Sequence, residues 1–385
     1  MEWSIAIVVV LVWMAIPLIV LRRVSNATSL DFESAEEPSP APHVSIVVAA
    51  RNEESNLEDC VRSMLQSKYS SFDVMVVDDG STDSTMAIAK KIADDDQRVR
   101  VIACGAMPEG WIGQQWALLQ GSRRTSGEII CFADADTRHG AELLTRAVNM
   151  MRRRKADCLS VSCRQIFGSF WERVAQPQVL LLLGVRYGGT ETISNATREE
   201  GKMGGGPCML VRRDAYDAVG GHTVTHGHIA IDVMFARALF RHGKTVMITD
   251  AGRHASVRMY RSLHEIISGW TKNIVLGTRI SPDRLGFRDA AKNALLLMVP
   301  AYQILSFGIL LAGLVPGAPA ALLWSGVACF AVTTAFWVIV DGALGVPRWY
   351  SIFFAVGSAV LAYIFLKSLA RGKHVSWRGR EYVSR

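Results

Sequence analysis

Asp134 and Asp136 stand one residue apart at the tip of an apolar run, GEIICFADAD (residues 127–136). Two carboxylates at that spacing can both reach one ion if the chain turns between them, and Ala135 adds no bulk to prevent it. A second acidic pair, Asp78-Asp79, closes the run FDVMVVDDG, and Arg51-Asn52-Glu53 follows the run HVSIVVAA. Acids at three strand tips on one rim make a hard, oxygen-rich site that suits Mg2+ or Mn2+ better than zinc. A single D-x-D is ordinarily just a solvated turn, because aspartate favours strand ends. The neighbouring VDDGSTD (residues 77–83) is what tips the reading towards metal binding.

The elements that must hold these acids alternate. Apolar runs at HVSIVVAAR, FDVMVVDDG, RVRVIA and GEIICFADAD read as strands. Helical patterns follow at Glu54 to Gln66, Thr82 to Ala93, Gln115 to Arg123 and Ala141 to Arg154. Short buried runs separated by helices predict an α/β, doubly wound, Rossmann-like domain with a parallel sheet. In such sheets ligands sit beyond the carboxyl ends of the strands, which is where the acids fall.

Around this domain the chain is strongly apolar. Of its 385 residues half are hydrophobic, and mean hydropathy is +0.21. Residues 4–21 carry no charge and are long enough to cross a hydrocarbon core of ~30 Å. Further runs follow at 294–315, 320–340 and 350–366. Arg22-Arg23 comes after the first run and not before it, the order of a retained anchor whose following segment is cytoplasmic. Residues 31–42, acidic and Pro-rich, read as a linker, 43–250 as the α/β domain, and 251–290 as an amphipathic interfacial segment. The tail 367–385 is basic. A net charge of +7 would suit nucleic acid in a soluble protein. Here the basic residues gather beside the apolar runs, so a lipid bilayer is the expected partner and nucleic acid is not. Seven cysteines with no CxxC pair argue against a disulfide framework or zinc site, and Cys208 reads as a small packed hydrophobe.

Together VSIVVAARNEE, VVDDGSTDST and FADADT resemble the nucleotide-sugar-binding half of family 2 glycosyltransferases, which have the GT-A fold; the likeness runs from about residue 44 to 248. MPEGWIGQQWALLQG, GPCMLVRRDAYDAVGGH, RMYRSLHEIISGWTKN and VSWRGREY are similar to the membrane-bound branch that glycosylates lipids: hopene-associated and carotenoid glycosyltransferases, more distantly ceramide glucosyltransferases. The resemblance implies a UDP-sugar donor, a membrane lipid acceptor and a multi-pass protein of the inner cell membrane with its catalytic domain in the cytoplasm. It implies that Glu53 and Asp79 contact the uridine, Asp134 the ribose or metal side, and that Asp136 ligates the ion. It also implies a general base at Asp232, in the first turn of a helix starting near Ile229, where the helix dipole favours a carboxylate. The family commonly has an acid before this base; this chain has Ile231. It often carries Gln-x-x-Arg-Trp as well; here Ile266 and Gly269 replace the polar residues and Trp270 alone survives, which argues against the alternative of a processive polysaccharide synthase. Trp111, beside Trp116, and Gly205, within Gly204-Gly205-Gly206, are further acceptor-side candidates. His226 and His228 read as surface loop. A transporter or scaffold would need ionisable residues inside the spans, and Asp341 is the nearest acid to any of them. Four crossings would put the basic tail outside, so 350–366 or 294–315 is expected to be re-entrant or interfacial.

Overall fold

The computed structural model of the protein describes residues 2–278, 287–371, 374–377 and 380–383. The chain begins with α1 (Glu2–Val24), then β1 (Val44–Ala50), α2 (Leu57–Leu65), β2 (Phe72–Asp78), α3 (Thr85–Asp95) and β3 (Val99–Ala103). There follow α4 (Gly113–Ser122), β4 (Ile129–Asp134), β5 (Thr137–His139), α5 (Leu143–Arg154), β6 (Cys158–Ser162), β7 (Arg164–Gln165), α6 (Phe170–Tyr187) and α7 (Thr190–Ser194). Next come β8 (Cys208–Arg212), α8 (Arg213–Ala218), α9 (Ile231–Arg241), β9 (Val246–Asp250) and β10 (Ala255–Val257). The chain ends with α10 (Leu263–Thr278), α11 (Phe287–Gly313), α12 (Ala320–Leu344), α13 (Phe354–Arg371) and the hairpin β11 (His374–Trp377)–β12 (Arg380–Val383). Part of the expected interfacial segment, residues 279–286, lies outside the described residues.

Two compact units emerge. One comprises residues 1–26, 167–189 and 260–372, the other 27–166, 190–259 and 373–385. In the second unit seven strands form one sheet in the order β3-β2-β1-β4-β8-β6-β9. In β1 no residue alternates between a wet and a dry face; its burial is almost unbroken, because helices cover both faces of the sheet. The sheet is not wholly parallel, as the strand pattern alone had suggested: β8 runs antiparallel to both β4 and β6. The residues between β6 and β8 include α6 and α7, and their length lets the chain re-enter the sheet from the opposite end. Reversal places the amino end of β8 at the carboxyl end of β4, with Ala133 paired to Cys208. A smaller sheet, β5-β10-β7, stands beside it.

Residues 27–42 are a strap laid along the second unit. Leu30 is fully buried, the Asp250 amide donates to the Thr28 carbonyl at 2.8 Å, and the Arg146 guanidinium donates to the carbonyls of Leu30, Asp31 and Glu33. Asn149 adds bonds to the carbonyls of Ser34 and Glu36.

The first unit gathers the apolar helices. Among the described residues, four segments are long and apolar enough to cross a membrane: Glu2–Val24, Leu296–Gly313, Ala320–Leu344 and Arg348–Ala370. Helix association in lipid depends on close approach and interhelical hydrogen bonds, since the tails are as apolar as leucine. Both devices are present. A Cβ on Gly326 would meet the backbone of Leu310, which lets α11 and α12 touch. Trp13 Nε1 donates to Thr333 Oγ1 at 3.0 Å, and Trp337 Nε1 and Ser358 Oγ both donate to Gln303 Oε1. Arg23 donates to the carbonyls of Val185 and Arg186, so one of the two anchor arginines also closes the end of α6. Of the amphipathic pattern in α10, Ile266 and Trp270 turn inward among the helices of this unit.

Candidate active site

Strand register builds the rim. Ala50 pairs with Asp78 and Ala49 with Asp134, so the second and fourth strand tips flank the end of β1. The Asp79 amide donates to the Ala50 carbonyl at 2.8 Å. Beyond β1 the chain must turn sharply, and Asn52 does so with φ +52°, a conformation that asparagine tolerates. Its Oδ1 accepts from the Thr82 amide at 2.9 Å, and Arg51 Nη1 donates to the Asp79 carbonyl at 2.7 Å. The Glu53 amide donates to Thr85 Oγ1, while Glu53 Oε2 accepts from Asn56 Nδ2. These bonds lace the β1 and β2 loops into a single wall. Asp78 accepts the Ser81 amide on Oδ2, but its buried Oδ1 has no hydrogen-bond partner. Such an orphan is a cost that a bound polar group would relieve.

Across β1, Asp134 ends β4 and Asp136 lies in the turn into β5, with Ala135 buried between them. Thr137 Oγ1 donates to the Asp134 carbonyl at 2.8 Å, and Gln114 Nε2 donates to Asp134 Oδ1 at 3.0 Å. The antiparallel β8 brings Gly204-Gly205-Gly206 to the same rim. A Cβ on Gly206 would run into the Asp232 carboxylate, and one on Gly204 into the Asp232 carbonyl. Glycine is thus required where the first turn of α9, which begins at Ile231, meets this loop. Gly205 instead ties the loop to β6: its amide donates to Ser160 Oγ at 2.7 Å, and the hydroxyl returns a bond to its carbonyl.

Asp134 and Asp232 line one pocket, together with Gln114 and Gly206. Phe132, Met209 and Phe235 give it an apolar floor. Glu53, Asp79 and Asp136 belong to the surrounding strand tips and loops and are not among its lining residues. Among the described residues, no three His, Cys, Asp or Glu side chains are gathered as a ready ligand set. What the chain offers is two half-buried carboxylates on one strand tip. That fits a Mg2+-like ion, which is usually held by one or two carboxylates and completes its shell with substrate phosphates and water.

Trp111 packs against Trp116 and His226, with ring centroids 5.2 and 4.9 Å away, so it braces two loops against each other. Gln115, fully buried, donates to the carbonyls of Thr225 and His228 and holds the segment leading into α9. Trp270 is 7% exposed and packs edge-on against Tyr260 inside the first unit; it is not among the pocket's lining residues. One lining residue escapes any reading of spacing: His222, 3% exposed, stacked on Phe235 and edge-on to Phe132. Burial pushes its pKa down to about 3, so the ring is neutral.

A mixed α/β sheet whose acids crowd the carboxyl rim, with a glycine-framed aspartate facing them, defines the second unit as a GT-A type domain. Residues 45–220 match the family model described as Glycosyl transferase family 2. The fold agrees with a solved mannosyltransferase, PcManGT from Pyrobaculum calidifontis in complex with GDP-Man and Mn2+. The TM-score is 0.55 at 17% identity, covering 96% of this chain and 98% of that one. By sequence the chain is similar to 4,4'-diaponeurosporenoate glycosyltransferase of Staphylococcus haemolyticus, 25% identical over 64% of this chain. It is also similar to beta-monoglucosyldiacylglycerol synthase of Nostoc sp., 29% identical over 47% of this chain. The matched stretches cover 65% and 38% of those two proteins.

Proposed function

We propose that this protein is an inverting, divalent-metal-dependent glycosyltransferase that moves a sugar from a UDP-sugar to a hydroxyl group of a membrane lipid. The observation that carries the reading is that Asp134 and Asp232 line one pocket together with the apolar side chains of Phe132, Met209 and Phe235. The likeness to a carotenoid-type and a diacylglycerol-type glycosyltransferase supports a lipid acceptor, as do four helices able to cross a membrane. The acceptor approaches from the cytoplasmic leaflet of the inner membrane, the side assigned to Arg22-Arg23 in the last turn of α1.

In this reading Asp232 takes the proton of the lipid hydroxyl as its oxygen attacks the anomeric carbon from the face opposite the diphosphate. The carbon–oxygen bond to the diphosphate breaks, and the nucleoside diphosphate leaves with the electron pair. One attack from one face inverts the anomeric centre. Asp136 and Asp134 would hold a Mg2+ or Mn2+ ion, whose chemistry is Lewis-acid stabilisation of the leaving diphosphate. Glu53 and Asp79 flank the uridine, and Gln114 keeps Asp134 oriented. The full chain, purified with extracted membrane lipid, tests this against UDP-sugars and GDP-sugars. Mass spectrometry should find one hexose-sized addition with a UDP-sugar, lost on chelation by EDTA and restored by Mg2+ or Mn2+. An Asp136→Ala chain with undiminished turnover would refute the ion site.

A further inference from the structure

His222 belongs to a chain of hydrogen bonds whose direction can be worked out from its far end. Ser122 Oγ donates its single hydrogen to the Leu119 carbonyl at 3.0 Å, which leaves Oγ only acceptor capacity. The Tyr216 hydroxyl, 2.9 Å from Ser122 Oγ, must therefore donate to it. Having spent its hydrogen, Tyr216 can only accept, and it receives the His222 amide at 3.2 Å and His222 Nδ1 at 3.0 Å. The neutral imidazole thus carries its proton on Nδ1, and Nε2 is a bare acceptor. The ring packs edge-on against Phe132 and flat on Phe235, and it lines the same pocket as Asp134 and Asp232.

We propose that His222 is a specificity-determining residue: its Nε2 accepts a hydrogen bond from one hydroxyl of the transferred sugar. The inference rests on the function proposed above and adds a recognition contact to it. A sugar lying between the metal-side and base carboxylates sets one face on the apolar floor, and its hydroxyls then need acceptors. Both carboxylates are committed to the chemistry. The histidine chain supplies an uncharged acceptor whose tautomer cannot switch without giving up another bond of the chain, at Ser122. A sugar with no hydrogen to donate at that position would leave Nε2 unpaired, and sites built this way discriminate strongly.

The experiment uses the full chain in lipid nanodiscs with UDP-glucose, UDP-galactose and UDP-N-acetylglucosamine. For whichever donor turns over, the monodeoxy analogues are then compared in wild type and His222→Phe, which retains the aromatic packing. The wild type should lose about tenfold or more in kcat/KM with one deoxy analogue. In His222→Phe the intact donor should fall to that lower level and the same analogue should cost no more than about twofold, while losses for the other analogues are unchanged. A uniform loss across all donors, or none, would overturn the assignment. If His222→Phe does not fold, 15N-histidine spectra of the wild type decide: the Nε2 resonance of the Nδ1-protonated ring must shift on adding the UDP-sugar, and a static resonance would overturn it. Absence of turnover in the wild type would remove the proposed function and this contact together; turnover without the analogue-specific effect would remove the contact alone.

Discussion

At the scale of the residue, Asp78 and Asp134 end β2 and β4 on one rim, and His222 is buried against Phe132 and Phe235. Asp78-Asp79 and Asp134-Asp136 announce themselves because apolar strands end on them, and strand tips on one rim must converge. His222 carries no such mark: it follows two glycines, and only the folded chain brings Tyr216, Phe132 and Phe235 around it. The unpartnered Asp78 Oδ1 was equally hidden, since both acids of that pair are buried and spacing does not say which oxygen finds a partner. Burial of neutral histidines has a measurable consequence. His222 is held down to about 3 and His139 to about 4, in both cases by desolvation, from an ordinary value of 6.5. The unfolded chain binds protons that the folded chain refuses. Their contribution is therefore complete above pH 6.5 and is lost as pH falls towards 4 and 3, at ~1.4 kcal/mol per pH unit for each ring. Thermal melts should drop between about pH 7 and about pH 5, and the drop should be smaller in His222→Phe; equal drops would contradict this account of the ring.

Elements explain what the residues cannot. The repeating strand-helix pattern gave β1 to β4 and the helices between them close to their observed positions, because burial on both faces of the sheet leaves a plain apolar signature. It missed the reversal of β8. Strand direction is not encoded in the run Cys208–Arg212 itself but in the long excursion through α6 and α7 that precedes it. That reversal brings the glycine loop to the rim, and Gly206 is the point of closest approach to Asp232. Gly206→Ala should displace the carboxylate, lowering kcat by about tenfold or more while costing about 1–3 kcal/mol of stability through overpacking. A kinetic assay paired with a melt would show both effects. Residues 31–42 of the strap read from composition as a linker, yet Arg146 donates to the carbonyls of Leu30, Asp31 and Glu33, a contact that a Pro-rich, acidic character does not foretell. Arg146→Ala leaves buried carbonyls unpaired and should cost about 1–3 kcal/mol, read as a lower melting temperature with the pocket unaltered.

For the whole molecule, the sequence marked the membrane runs by length and hydropathy alone, and the four long helices are there. It did not mark α6 as a companion of those helices, since eighteen residues in the middle of a soluble-looking stretch carry a glutamate and an arginine near their start. Under the proposed function, apolar helices that hold the chain in a bilayer would bring a water-soluble donor and a lipid acceptor to one GT-A type unit. The account turns on Asp232 acting as base across the pocket from Asp134. The most direct measurement is the initial rate of sugar transfer from a UDP-sugar to extracted membrane lipid by the wild type and by Asp232→Asn, with donor affinity followed in parallel. The rate should fall by about 100-fold or more with donor binding preserved; an Asp232→Asn chain that transfers sugar at the wild-type rate would contradict the account.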